Sequence, residues 1–503
     1  MPAEIHNGQR KRHMSLFSAT MLGATCMMGS GWLFSAQLTA RYAGNWAFLA
    51  WILAAVLVLS VGYCLTRIVK FYPVRGATTR ASALSHNGIF GMPFAFANWF
   101  GIVAVVTTEA QATTQYLSSA IGSDWLIENQ SLTVLGKALA VLILLVYLAV
   151  NFYGVHLLTR VNNVITVIKA ITPMITIAVL LYATAQLGDP TLNFTMSMDT
   201  DYGWKSAFGA IVSAGLMYSF NGFQVSVAFA SEVKNPERNV PYAILFSVII
   251  ALCVYLTLQF AFMAAIPATE LEKVGGWEGL HLASPLLDIA VLLGLNFLVV
   301  LLLADSVISP SAAGYTYLGA STRMLTAMAE SGQMPRWLSK INPVHNVSRR
   351  SMFVNWILAA ILLVNADSWA GLMVIVSGYH VISYMAAPIS MGALEPGKRL
   401  LGTLVFTMLA LAITTLNDYS LQMVNISLTL LIVLYASLHI KNGLIKLLLF
   451  TVPFLVFLWC MYFISATWIN AVIAATFYWF ITSERYVASC NTYAENHMSD
   501  GKP

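Results

Sequence analysis

Apolar residues in this chain do not alternate with polar ones as they do in a half-buried strand. They run on for a helix length at a time. A helix rises about 1.5 Å per residue, so about 20 apolar residues cross the hydrocarbon core of a bilayer. By that measure the sequence predicts spans at 15–39, 46–70, 93–119, 133–156, 160–186, 206–231, 240–266, 291–328, 351–366, 369–392, 399–416, 419–438, 443–464 and 467–482. The last four are short and closely spaced. A count of twelve stays open if two of them pair as re-entrant or interfacial segments. Arg10, Lys11 and Arg12 precede the first span as they would precede a signal peptide. The apolar stretch that follows is longer than a signal core and is read as a retained helix.

Two spans are interrupted near their middles. The first carries Met28-Gly29-Ser30-Gly31 and the sixth Ser219-Phe220-Asn221-Gly222-Phe223. A break leaves backbone N–H and C=O groups without partners, which is intolerable facing lipid and survives only where it lines a cavity or binds something polar. The N-terminal end of a half-helix suits a carboxylate, and the C-terminal end offers carbonyls to an ammonium group. Two facing breaks therefore suit an α-amino acid zwitterion, whereas a lone pair of glycines more often only allows close helix packing. The offset between Ser30 and Asn221 nearly equals that between Glu109 and Asp305. A constant offset across five helices predicts a 5+5 repeat, inverted because five is odd.

Charge then fixes an expected orientation. The chain is 58% hydrophobic and only 9% charged, with a formal net charge of +5. A soluble globular domain is about 25% charged, so the positive balance reports topology and not nucleic acid. With the N-terminus inside, Arg67–Arg80, Arg160, Lys234 and Arg238, Arg323–Arg350, Lys398 and Arg399, Lys441 and Lys446, and both tails fall on one side. Arg41, Lys137, Lys205 and Lys273 fall on the other. The five cysteines are scattered singly, and the nine histidines include no HExxH pair. A disulfide framework, a metal site and an intramembrane hydrolase have no support, and neither GxSxG nor GxGD occurs. A channel would repeat pore loops and a receptor would carry a soluble sensing domain; neither pattern is present.

Three charges remain inside spans: Glu109, Lys169 and Asp305. Lys169 lies nine residues past Arg160, about 13 Å deep. An ammonium there costs about 3 kcal/mol or more unless paired or neutralised, so its protonation can be tied to conformation. Snorkelling to the surface is the alternative, but the stem reaches only about 6 Å. Glu109 sits among Thr107, Thr108, Gln111, Thr113 and Thr114, and Asp305 beside Ser306 and Ser309. Two readings stand for each: a substrate or proton group, or a neutral carboxyl hydrogen-bonded between helices.

Gly29-Ser30-Gly31-Trp32 resembles the first-helix motif of amino acid–polyamine–organocation (APC) permeases. Ser219–Phe223 followed by Ser231-Glu232-Val233-Lys234-Asn235-Pro236-Glu237-Arg238-Asn239-Val240-Pro241 is similar to that family's sixth helix and following loop. Ser321-Thr322-Arg323 and Ala327–Pro335 resemble the end of its eighth helix. The resemblance covers about residues 15–395 and is finer, though weaker, toward the bacterial aspartate–proton symporter branch. Two spans beyond the family's common twelve depart from it.

The resemblance implies an all-α polytopic membrane protein of the LeuT-type fold with helices 1 and 6 broken. Its parts would be a cytoplasmic N-tail (1–14), repeats at 15–186 and 206–392, additional helices at 399–482 and a cytoplasmic C-tail (483–503). It implies a proton-coupled amino-acid symporter of the bacterial inner membrane, not an enzyme, with an amino-acid or amine antiporter of the same fold as the alternative. Met28, Gly29, Ser30, Gly31, Trp32, Glu109, Phe220, Asn221, Gly222 and Tyr315 would bind or gate substrate. Lys169 would stand where sodium binds in sodium-coupled relatives, with Ser309, Ser311 and Asp305 around it for proton coupling. Glu232 and Arg323 would form an intracellular gate, or else an ordinary surface ion pair. The coupling ion is the proton, with no metal or other cofactor. The partners are a small amino acid or amine and the lipid bilayer, with no nucleic acid and no obligate protein partner.

Overall fold

The computed structural model describes residues 14–72, 77–121, 125–128, 131–152, 156–187, 193–194, 202–230, 232–342, 347–366, 368–438 and 444–490. Most of both predicted tails, Arg75, Ser231, Lys441 and most of the 188–201 loop lie outside these residues. For Arg80, Arg160 and Lys446 only the backbone is described.

The first predicted span is two helices, α1 (Leu16–Met27) and α2 (Gly31–Ala43). There follow α3 (Ala47–Phe71), a short α4 (Ala77–Ser85), α5 (Gly88–Ile121), α6 (Val134–Phe152) and α7 (His156–Leu187). The sixth span is three short pieces: α8 (Trp204–Ser213), α9 (Leu216–Ser219) and α10 (Val225–Ala228). Beyond it come α11 (Pro236–Ala265), α12 (Ala268–Lys273), α13 (Pro285–Leu292) and α14 (Asn296–Glu330). The chain closes with α15 (Arg349–Asn365), α16 (Trp369–Leu394), α17 (Arg399–Ile413), α18 (Asp418–Leu438), α19 (Leu444–Phe463) and α20 (Thr467–Ile481). The fold is nearly all-helical; a two-residue pairing of Ile127–Glu128 with Ser131–Leu132 is a small exception to the all-α expectation. Nine helical segments among the described residues are long and apolar enough to cross a bilayer, with Leu16–Met27, Leu449–Phe463 and Thr467–Ile481 shorter. The eighth span starts later than hydropathy alone placed it. Gly294, in the left-handed region at φ 65°, ends the separate α13, and α14 begins at Asn296.

Hydrogen bonds define two faces. On the near face, where α1 begins, the Met14 N–H donates to Glu232 and the Lys234 N–H to Met14. Arg67 pairs with Glu395 at 2.7 Å there, and Gln333 donates to the Gly88 carbonyl. On the far face, Gln37 exchanges two hydrogen bonds with the Leu282 backbone, and Arg41 reaches Glu278 and His281. The middle of the bundle is α5 and α16: 78% and 89% of their most apolar windows are buried, against 28% for α6. Polar residues on α5 and α16 therefore face protein, which is where the candidate site lies.

Candidate functional site

At the first break α1 stops after Met27. The Met28 N–H turns back to Thr25 and the Gly29 N–H to Met27, both short-range turn bonds. The next N–H, that of Ser30, points into the protein and meets both carboxylate oxygens of Glu109, at 3.2 and 3.4 Å. This is an anion held at the start of a helix, the geometry the half-helix field favours. Gly29 permits it, since a Cβ there would lie 2.9 Å from Glu109 Oε1. The Tyr218 hydroxyl donates to Glu109 at 2.9 Å and lies 2.9 Å from Ser30 Oγ and 3.0 Å from Thr108 Oγ1. Every member of this cluster is buried.

The second break is organised differently. Gly222 adopts φ 121°, and a Cβ there would stand 2.8 Å from the carbonyl carbon of Cys26. Only glycine tolerates both the dihedral and the approach. Its N–H donates to Gln224 Oε1, the Gln224 amide donates to Asn221 Oδ1 at 2.9 Å, and the Tyr384 hydroxyl donates to the same oxygen at 3.3 Å. The two breaks touch: Ser35 Oγ and Ser219 Oγ are 2.7 Å apart. Tyr255 of α11 also joins them, its hydroxyl lying 2.8 Å from both the Met27 and Ser219 carbonyls. Phe220 packs its ring against Trp51 and Tyr255, away from the polar groups.

A cavity of about 280 Å³ adjoins the second break, lined by Asn98, Asn221, Gln224, Tyr317, Ser383 and Tyr384 among others. Leu65, Ala228 and Met324 carry it toward the near face. A wider hollow of about 750 Å³ beside Trp125 and Leu135 belongs to the hairpin of Ile127–Glu128 and Ser131–Leu132. Toward the far face the breaks are covered by rings. Trp369 stacks on Phe34 at 4.2 Å and meets Tyr218 edge-on, and Phe34 meets Tyr116. This conformation is closed toward the far face and hollow toward the near one.

The remaining expected residues are distributed unevenly. Met28 and Trp32 are buried in the core beside the first break. Lys169 lies in Coulombic range of Glu109, Asp305 and Cys26, and makes no salt bridge among the described residues. Asp305 accepts from Ser309 at 2.7 Å through Oδ1, and Thr172 of α7 is a second hydroxyl neighbour of its carboxylate. Ser311 faces α6 instead, accepting from Tyr147 at 3.4 Å. Tyr315 meets α6 through its carbonyl, which accepts from Asn151. Tyr317, about 200° further round the helix, is the tyrosine that lines the cavity. Arg323 is exposed, and the Glu232 backbone carbonyl accepts from the Met14 N–H at the near face. Sequence reading missed Tyr218, Tyr255, Gln224 and Tyr384. Each is an ordinary residue in an apolar or amide-rich window, and only its partners single it out.

The model of the amino acid permease family matches residues 14–487. The chain belongs to that family. Among its relatives, the glutamate/serine transporter AimA of Bacillus subtilis is 35% identical over 77% of this permease and 72% of the relative. The aspartate-proton symporter of the same organism is 28% identical over 77% and 74%. Its methylthioribose transporter is 23% identical over 71% and 77%. The permease is thus a multi-pass membrane protein of the APC superfamily, an amino acid transporter and not an enzyme.

Proposed function

We propose that the permease is a proton-coupled symporter importing an amino acid across the bacterial inner membrane, built as two inverted five-helix repeats with additional C-terminal helices. The observation that carries the reading is Glu109 on the Ser30 N–H, because it marks the start of α2 as an anion site already occupied by a protein carboxylate. A substrate carboxylate arriving at that helix end stands beside Glu109. Two like charges at one place favour uptake of a proton by one of them. Lys169, in Coulombic range of Glu109 and Asp305, senses that change of charge, and this couples proton and substrate. The near face, which carries Arg67, Lys234, Arg323, Arg349 and Lys398, is the cytoplasmic one. The cavity on that side makes this the inward-facing state, with Glu232 and Arg323 closing as a gate when it inverts. The names of the two closer relatives favour an acidic or small polar substrate.

The test is uptake into proteoliposomes under an inward proton gradient, with Lys169→Met alongside. Concentrative uptake abolished by a protonophore, and reduced at least tenfold in the variant, is expected. Uptake that ignores the gradient but requires amino acid inside would replace symport by exchange and return Lys169 to a structural role.

A further inference from the structure

His380, near the middle of α16, is buried to 1% exposure, and among the described residues neither ring nitrogen has a hydrogen-bond partner. A neutral imidazole holds one donor and one acceptor, so both are left idle in the interior, where buried polar groups are ordinarily paired. The ring is not far from polar space. It lies parallel to Tyr384, centroids 5.9 Å apart, and Tyr384 and Ser383 line the cavity. Its other edge fits against Gly101 of α5, where a Cβ would meet Cδ2 at 3.3 Å and Nε2 at 3.5 Å. Gly101 lies between Asn98 and Ile102, both in the cavity wall. The imidazole is therefore the layer directly behind that wall, one turn from Tyr384 toward the far face.

Among the described residues no charged side chain acts on the ring. Its titratable neighbours on α16 are Tyr379, whose hydroxyl is engaged with Ser427, and Tyr384, engaged with Asn221. Across α5, Glu109 is two turns further on and engaged with Ser30 and Tyr218. The cavity wall itself offers amides and hydroxyls but no cation.

We propose that His380 is a specificity-determining group that receives the side-chain carboxylate of an acidic amino acid. Rotation of the Tyr384 ring, which releases Asn221, opens the imidazole to the cavity. The imidazole takes one proton from solution, and the imidazolium pairs with the substrate's second carboxylate. The ion pair is neutral, so the extra negative charge crosses with its proton and both are released together. A neutral amino acid such as serine needs neither step. This rests on the transport reading above and assigns a residue to the acidic substrate class it favours.

The experiment compares uptake of labelled glutamate and serine by reconstituted wild type and His380→Gln between pH 7.5 and 5.5. In wild type the glutamate-to-serine ratio should rise severalfold as pH falls. In His380→Gln the ratio should be flat and glutamate uptake at least tenfold lower, with serine uptake within about twofold of wild type. A flat ratio in wild type, a rise that persists in the variant, or carriage of neutral amino acids alone overturns the proposal while leaving amino-acid transport standing. A variant that loses both substrates is judged on the wild-type pH profile, which does not depend on its folding. Wild type that moves no amino acid sinks the transport reading, and this with it.

Discussion

At the first break a carboxylate from another helix takes the freed N–H; at the second the loop ties off its own groups. Glu109 reaches Ser30 from α5, and Tyr218 fastens it there, so three separate helices close one buried knot. Asn221, Gly222 and Gln224 satisfy one another within four residues, and Tyr384 joins from outside. The polar groups at the first break are buried, while the second break borders the cavity. An equal spacing in sequence has thus produced unequal chemistry. One break holds a carboxylate from another helix on its freed N–H, and the other forms part of a polar cavity wall. The carboxylates repeat the contrast. Glu109 holds a backbone N–H of another helix, whereas the short bond of Asp305 is to Ser309 of its own helix.

The sharpest way to break this asymmetry is Glu109→Ala. It strips the acceptor from the Ser30 N–H and the Tyr218 hydroxyl, each worth about 1–3 kcal/mol when left unpaired in the interior. Uptake should fall by about tenfold to a hundredfold, whereas Glu109→Gln, which keeps an acceptor, should retain the fold by thermal melting. A loss no larger than that of Asp305→Asn would erase the distinction between the two carboxylates.

Gly222→Ala attacks the second break through its backbone. The dihedral and the Cys26 contact together should cost about 1–3 kcal/mol, seen as a lower melting temperature; an unchanged melt would show that the two breaks are not locked together. Tyr255→Phe removes the hydroxyl shared by the two carbonyl ends. One O–H can donate to only one of them at a time, so the loss should be about 1 kcal/mol, or about fivefold in apparent substrate affinity. Tyr384→Phe is the mildest of the series. Its bond to Asn221 is long, and a change of about twofold or less in the KM for the transported amino acid is expected.

Much of the architecture was legible because a bilayer makes folding local. Each span must satisfy its own backbone, so hydropathy, glycine and charge could be read segment by segment. That logic exposed Gly29, Gly222, Glu109 and Lys169 as residues needing a reason. It did not tell Tyr315 and Ser311 from their neighbours, since residues on a helix face are told apart only when a neighbour is known: Tyr317 and Ser309, two positions away, turn to the cavity and to Asp305. The start of α14 was misplaced for a related reason, a glycine stop inside an apolar run.

The sequence by itself determined that this is a membrane bundle of an amino acid permease, with two interrupted helices and three charges out of place. Those are statements about single segments against lipid. Only the tertiary structure decided that Glu109 meets Ser30, that Tyr218 and Tyr255 knit the breaks, and that His380 stands unpaired behind the cavity wall. Such pairings depend on which faces of distant helices meet, and an apolar window with one hydroxyl or one imidazole reads the same whichever way it turns.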